Sequence, residues 1–154
     1  MHSKIFQLSD KPISKKDYIT EDDIPEYFVE QIADYVDNIP ESYYEHLYEV
    51  LAEHIHGKAE GNCLQLSEEG IREFFLVRYE KFLEKVQEIG KLTSEDFIKG
   101  KFHYPVYELK TLEDDLYDLY IYYNDNMYTV SSFLRNETDE NKNFYLGAVI
   151  DYHF

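Results

Sequence analysis

The residues with the greatest chemical capacity lie in one short stretch, in which Glu53, His54 and His56 are followed by Cys63. Within eleven residues they supply a carboxylate, two imidazoles and a thiol, which are zinc ligands and also a formal cysteine–histidine pair. A zinc site needs a second paired cluster, and a di-iron bundle needs the Glu-x-x-His motif twice. The sequence has neither, so we predict no metal and no cofactor, with His54 as a hydrogen-bonded core histidine and His56 in a loop.

Other enzyme signatures are also missing. The chain has no phosphate-binding loop, no Gly-x-Gly-x-x-Gly fingerprint, no Gly-x-Ser-x-Gly elbow and no His-Glu-x-x-His helix. The adjacent acids Asp22-Asp23 and Asp114-Asp115 have the chemistry for general acid–base catalysis, but such pairs are common at helix starts and turns. We predict a protein without enzymatic activity; a hydrolase or metal-dependent enzyme that uses residues 53–63 is the alternative.

A long run of negative charge is the most unusual feature of the sequence. Residues 17–57 hold twelve Asp or Glu and no Lys or Arg, in a chain whose net charge is −17. Like charges four residues apart in a helix cost roughly 0.2–0.5 kcal/mol per pair, which a stability of about 5–15 kcal/mol tolerates. A helix without a partner would still gain from interleaved lysines, as residues 80–88 show. A solvated acidic face with no partner stays the alternative.

This run predicts two carboxylate ladders, one on each of two helices. Carboxylates four residues apart are about 6 Å apart along a helix axis, while one DNA strand carries a charge every ~3.4 Å. Two ladders side by side would therefore approach the charge density of a phosphate backbone. The predicted partner-binding residues are Glu26, Glu30, Asp34 and Asp37 on the first helix, Glu41, Glu45, Glu49 and Glu53 on the second, and Tyr43 and Tyr48 at the border.

The ladders predict a small acidic binding protein that occupies a basic site on another macromolecule. An inhibitor that acts as a DNA mimic against a nuclease or another nucleic-acid-binding protein would fit, and so would an immunity protein paired with a basic toxin. The net charge of −17 argues against direct binding to nucleic acid or to an anionic membrane. A third hypothesis is a structural or oligomeric protein whose tyrosine-rich sheet forms the interface.

Composition indicates one folded domain over residues 1–154. With 44% hydrophobic and 17% aromatic residues, a chain of this length can bury a core despite its charge. Its one cysteine cannot form an internal disulfide, and no segment is long and apolar enough for a signal peptide or a membrane span. We therefore expect a cytoplasmic protein with no membrane partner.

Hydrophobic periodicity predicts an α+β fold, with N-terminal helices and one long central helix packed on a C-terminal antiparallel sheet. Pro40 divides the first helical region, and Pro105 predicts that the strand around it lies at a sheet edge. The predicted helices span residues 20–39, 41–55, 67–90 and 93–99. The predicted strands span residues 4–8, 63–66, 102–110, 116–123, 127–134 and 144–152, with a hairpin turn at 124–126.

The predicted helix over residues 67–90 organises this fold. Ser67 is a good N-cap, and the apolar positions form a broad arc that predicts contact with more than one neighbouring element. Arg78 lies within that arc and is predicted to extend towards solvent; a sheet carboxylate such as Asp118 or Asp151 is the alternative partner. The near-balanced charges of the helix indicate scaffold rather than site. Its apolar positions are Ile71, Phe74, Phe75, Tyr79, Phe82, Leu83, Val86 and Ile89.

Overall fold

A mixed seven-stranded sheet is the centre of the fold. The computed structural model describes residues 1–154, apart from the side chain of Asp114. The strands are β1 (His2–Ser9), β2 (Tyr35–Asn38), β3 (Lys58–Glu60), β4 (Cys63–Gln65), β5 (Tyr120–Tyr123), β6 (Asn126–Thr129) and β7 (Asn143–His153). They lie in the order β3-β4-β7-β1-β5-β6. One edge of β7 pairs with β1. Its other edge pairs with β4 over the first residues of β7 and with β2 over the last residues.

Helices cover both faces of this sheet. They are α1 (Glu26–Gln31), α2 (Tyr44–His54), α3 (Glu68–Gly90), α4 (Ser94–Ile98), α5 (His103–Asp114) and α6 (Val130–Asn136). On β1, Ile5 points into the cluster that contains Phe28 of α1, whereas Phe6 points into the cluster that contains residues of α2, α3 and α6. Because neighbouring residues of a strand face opposite ways, α1 and α2 lie on opposite faces of the sheet.

The α+β prediction is confirmed, but the predicted order of helices followed by an antiparallel sheet is wrong. The N-terminal strand β1 lies inside the sheet, antiparallel to the C-terminal strand β7 and parallel to β5. Ile5, Phe6 and Leu8 are at most 2% exposed, as expected for a strand covered on both faces. Both ends of the chain therefore build the sheet.

A β-bulge at residues 147–148 of β7, opposite Gln7, accounts for two buried polar side chains. Oε1 of Gln7 accepts a hydrogen bond from the backbone N–H of Ala148 at 3.0 Å, which replaces a lost ladder bond. The hydroxyl of Tyr48 donates to the carbonyl oxygen of Gly147. A Cβ at Gly147 would lie 2.4 Å from Oε1 of Gln7, so any other residue there would push the Gln7 amide away from its hydrogen bonds.

The first predicted helix, over residues 20–39, is wrong beyond a short segment. α1 has six residues, and the chain then extends so that Tyr35–Asn38 can pair with the last part of β7. Backbone pairing along that strand outweighs the weak helical periodicity of Ile32 and Val36, both of which are β-branched. The second predicted helix is confirmed as α2, which follows a 3₁₀ turn over Glu41–Tyr43.

In the C-terminal half, two predicted strands are helical. The segment 102–110 belongs to α5, where Pro105 occupies the first turn and its missing N–H removes no helical hydrogen bond. The predicted strand 127–134 ends at Thr129, whose hydroxyl accepts from the backbone N–H of Ser132 at 3.2 Å and starts α6.

The remaining C-terminal predictions are confirmed, with one shorter strand. β7 and the short helix α4 lie where the sequence placed them, and β5 covers only the last four residues of the predicted strand 116–123. Asn124 and Asp125 have φ angles of 49° and 60°, as the two-residue turn of a tight hairpin requires.

The long helix α3 is confirmed, but its predicted central position is wrong. Oγ of Ser67 accepts from the backbone N–H of Gly70 at 3.0 Å, and the buried residues of α3 are Gly70 and Phe74, both near its start. From residue 75 onwards its main neighbour is α5, which runs antiparallel to it. We call residues 75–113 the arm, and residues 1–74 with 114–154 the body.

Candidate functional site

Three of the four carboxylates predicted for the second helix form a row of exposed side chains on α2. Glu45, Glu49 and Glu53 are exposed on its outer side, while its inner side packs into the core, and we call these three residues the acidic ridge. Glu41 lies in the 3₁₀ turn before α2 and pairs with Nζ of Lys15 at 2.6 Å. Among the described residues, none of the three ridge carboxylates forms an ion pair with a lysine or arginine, and His46 lies 4.0 Å from Glu49.

The structure does not bring the other ladder beside the ridge. Glu26 and Glu30 lie on α1, which covers the opposite face of the sheet. Asp34 follows α1 and lies 3.2 Å from Nδ1 of His153, while Asp37 is on β2. The two ladders therefore do not lie side by side as one dense surface, because the second half of the first predicted helix is a strand and α1 covers the opposite face of the sheet.

The two predicted border tyrosines have different environments. Tyr43 is 60% exposed at the start of α2 and is free to contact a partner. Tyr48 is only 5% exposed, and its hydroxyl is used by the bulge at Gly147, so its predicted role as an anchor is wrong. Burial, together with the neighbouring Tyr18 and Tyr44, raises the pKa of Tyr48 well above its ordinary value of 10.0.

A cluster of charged side chains joins α2, α3 and the loop before β5. Nε2 of His54 lies 3.5 Å from Oδ2 of Asp118, and the His54 ring meets the ring of Phe74 edge-on. Arg78 forms ion pairs with Asp115 and Asp118, so its predicted extension into solvent is wrong. The structure selects Asp118 among the predicted alternatives and adds Asp115.

Asp115 is the buried member of this cluster and was not foreseen as a partner. Its side chain is 2% exposed, its φ angle is 52°, and one carboxylate oxygen accepts from the backbone N–H of Ser131 at 3.1 Å. It therefore links Arg78 of α3 to the first turn of α6. No sequence pattern indicated the left-handed backbone of Asp115.

The charges of the cluster stabilise one another. Burial alone would raise the pKa of Asp118, but His54 and Arg78 more than offset this effect and hold its pKa below the ordinary value. Burial lowers the pKa of Arg78, and the nearby charge of Arg135 acts in the same direction. We interpret this cluster as a clamp that fixes the base of the arm to the body.

The residues considered for catalysis or metal binding do not assemble into a site. Glu53 and His56 are exposed, and Sγ of Cys63 lies 3.8 Å from Oδ1 of Asn62. Asp23 serves as a cap that accepts from the backbone N–H of Thr20 at 2.7 Å. Within the described part of the chain, no group of three or more His, Cys, Asp or Glu is placed to hold a metal ion.

Two further expectations concern the Asp114-Asp115 pair and the tyrosine-rich sheet. The side chain of Asp114, one half of the predicted Asp114-Asp115 pair, lies outside the described structure. Within the tyrosine-rich sheet considered as an oligomer interface, β5 lies between β1 and β6. Tyr120, Ile121 and Tyr123 are at most 8% exposed, whereas Tyr122 and Tyr128 are half-buried, and the oligomer hypothesis stays a prediction.

Exposed apolar side chains are concentrated on the arm. All thirty residues from 75 to 104 are described, and none of them is buried. Sixteen large hydrophobic side chains are exposed in the described chain, and ten of them belong to the arm. Those ten are Leu76, Tyr79, Phe82, Leu83, Val86, Phe97, Ile98, Tyr104, Val106 and Tyr107. Sequence periodicity identified this apolar arc but assigned it to contacts inside the chain.

Comparisons with known proteins indicate no function for this chain. No protein-family model, no curated protein and no solved structure matches this chain at a significant level. No helix in the described residues combines the length and the apolar character that a membrane span requires.

Proposed function

We propose that the protein is a small, non-enzymatic binding protein whose acidic body occupies a basic site on another macromolecule. The distribution of charge carries this proposal. The arm holds seven acidic and seven basic residues, so the whole net charge of −17 belongs to the body. A basic partner would be attracted to the body rather than to the arm, with faster association as a result.

The acidic ridge is the part of the body best suited to this contact. Its three carboxylates are exposed along one side of a rigid helix, and residues 17–57 contain no Lys or Arg to neutralise them. Tyr43 lies one turn or less from the ridge, with 60% of its surface exposed. Tyrosine is enriched among the residues that dominate binding energy, so Tyr43 supplies an anchor beside the charges.

The contact proposed here is narrower than the two-ladder surface expected from the sequence. The ridge alone has roughly half the charge density of a nucleic-acid strand. It therefore suits a basic patch of limited length, such as part of the active-site groove of a nuclease or of another nucleic-acid-binding protein. An inhibitor or an immunity-type protein is the role that this geometry favours. A cytoplasmic location, expected from the single cysteine, belongs to the same proposal.

Charge reversal on the ridge, compared with the same reversal on α1, tests the proposal. The double variant Glu45→Lys, Glu49→Lys and the double variant Glu26→Lys, Glu30→Lys change the net charge equally at the same helical spacing. Both variants and the unaltered protein are immobilised to capture proteins from a lysate. The most enriched basic protein is then identified and purified, and its Kd for each form is measured.

The ridge variant should raise this Kd by about 100-fold or more, because close interfacial charge pairs are replaced by repulsion. The α1 variant should raise it less than about tenfold, through the weaker long-range attraction. Equal losses in the two variants would show that only net charge matters and would refute the ridge as the contact. Failure of the unaltered protein to retain any basic protein would overturn the proposed function.

A further inference from the structure

The exposed apolar residues of α3 form one stripe along the arm. Leu76, Tyr79, Phe82, Leu83 and Val86 are between 38% and 57% exposed, and at 100° per residue they fall within an arc of about 120°. Phe75, Tyr79, Phe82, Val86 and Ile89 also repeat at alternating spacings of four and three, which is the spacing of a helix that packs along another helix. The stripe is thus patterned for a helical neighbour that a single chain does not provide.

A groove beside this stripe is open as well. It has a volume of about 760 Å³ and lies between α3, α5 and α6, with Phe82, Leu109 and Leu112 among its lining residues. Across the groove, α3 and α5 are held in register by the ion pair of Lys85 with Glu108 at 2.6 Å. Two antiparallel helices joined in this way bury only the seam between them, and their outer faces need another layer.

The charge of the arm identifies the kind of partner that fits. Its seven acidic and seven basic residues cancel, so the arm as a whole has no net charge. A strongly basic or strongly acidic partner gains little from such a surface. A second arm fits it, because two neutral arms present apolar side chains to one another without net charge repulsion.

We propose that two copies of this chain associate through their arms, antiparallel, so that the stripe of each arm enters the groove of the other. The result is a symmetric four-helix contact in which the same surface of both chains is used. The association is independent of the acidic ridge, which lies on the body.

Antiparallel packing also separates the two acidic bodies. The part of α3 from residue 75 to Gly90 is about 24 Å long. The Debye length at physiological salt is about 8 Å, so bodies at opposite ends of the paired arms repel one another only weakly. A parallel arrangement would place two bodies that each carry the full charge of −17 side by side.

The apolar area suits a dimer of moderate affinity. The stripe and the groove together offer on the order of 600 Å² per chain, which is near the lower limit of about 1,200 Å² in total for a specific interface. We therefore expect a dissociation constant in the micromolar range.

Sedimentation velocity tests the association with a matched pair of variants. Leu83 of the stripe and Val50 of α2 are exposed helical side chains with nearly equal exposure, 38% and 37%. Leu83→Glu should weaken self-association by about 100-fold, because two buried leucines per dimer are replaced by charges. Val50→Glu should change it by less than about threefold. The protein is studied between about 1 and 100 µM, a range that brackets the expected dissociation constant.

The unaltered protein should approach twice the 18.5 kDa of one chain at the highest concentration. Circular dichroism and thermal unfolding of both variants show whether they remain folded. If Leu83→Glu does not fold, Leu83→Ala provides a milder change at the same position. A monomer at every concentration would overturn the proposal. A dimer that Leu83→Glu leaves intact, or that Val50→Glu disrupts equally, would also overturn it.

Discussion

The body and the arm differ in both burial and charge, although the same helix, α3, runs through both. At its start α3 buries Gly70 and Phe74 against the body, whereas every residue from 75 to 104 keeps contact with solvent. The body holds both hydrophobic clusters and the entire net charge of −17, while the charges of the arm cancel. The body therefore supplies the hydrophobic core and the net charge, and the arm supplies most of the exposed apolar surface.

This division separates two kinds of contact within one small protein. A contact on the body would be governed by charge and a contact on the arm by apolar burial. The two should respond differently to substitution, salt and pH.

Truncation of one leucine in each region should give very different losses of stability. Leu51 is fully buried under the sheet, so Leu51→Ala should lower the free energy of unfolding by about 2–5 kcal/mol. Leu83 is exposed, so Leu83→Ala should cost about 0.5 kcal/mol or less in the monomer. Urea denaturation at a concentration below the dimerisation range measures both values. Similar losses in the two variants would show that the arm has a core of its own.

Removal of Arg78 should loosen the junction between the regions. Arg78→Met leaves Asp115, whose side chain is 2% exposed, without its ion pair, and we expect a loss of about 2 kcal/mol after allowance for the partial exposure of the other groups. Lys81→Met, one turn along the same helix and exposed, should cost less than about 0.5 kcal/mol. Adding Asp115→Asn to Arg78→Met should recover part of the loss. A double variant no more stable than Arg78→Met alone would contradict the clamp.

Salt should act in opposite directions on the two contacts. Between about 50 and 500 mM NaCl, screening should weaken capture of a basic partner by the body about tenfold or more. Dimerisation through the arm should stay unchanged or become tighter, because salt reduces repulsion between the bodies and does not oppose apolar burial. Parallel titrations of both equilibria measure the two slopes. If salt weakened both the capture of the basic partner and the dimerisation, the body and the arm would not differ in the kind of contact they make.

The smallest effect should come from Tyr48 at alkaline pH. Its pKa in the folded protein is raised above the ordinary value of 10.0, so its contribution to stability is fully present below pH 10.0 and declines as the pH rises towards the folded-state pKa. Tyr48→Phe should cost about 1 kcal/mol at neutral pH through the lost bond to Gly147, and should flatten the decline above pH 10.0. The exposed Tyr43→Phe should change neither quantity in denaturation measured from pH 8 to 11.

Strong local signals in the sequence predicted some of the elements, among them α3, β7 and the hairpin turn. Ser67 and the long periodic arc gave the limits of α3, and the continuous apolar residues gave β7. Asn124 and Asp125 marked a tight turn because few other residue types accept a positive φ angle. In each case the determining interaction lies within a few residues.

Features that depend on distant partners were not predicted. Tyr35–Asn38 became a strand because β7 offers it backbone groups more than a hundred residues away, and this separated the two carboxylate ladders. Tyr48 was expected at the surface, but the bulge in β7 requires its hydroxyl. The apolar arc of α3 was correctly identified, yet periodicity cannot tell whether its neighbour belongs to the same chain or to another.

Amide hydrogen exchange at two protein concentrations tests the division between body and arm most directly. At low concentration, peptides from residues 75–104 should exchange far faster than those from β1 and β7, because none of these thirty residues is buried in the monomer. At high concentration the arm peptides should become protected, while peptides of α2 stay unchanged. Arm peptides that are as protected as the sheet at low concentration, or that exchange identically at both concentrations, would contradict the account.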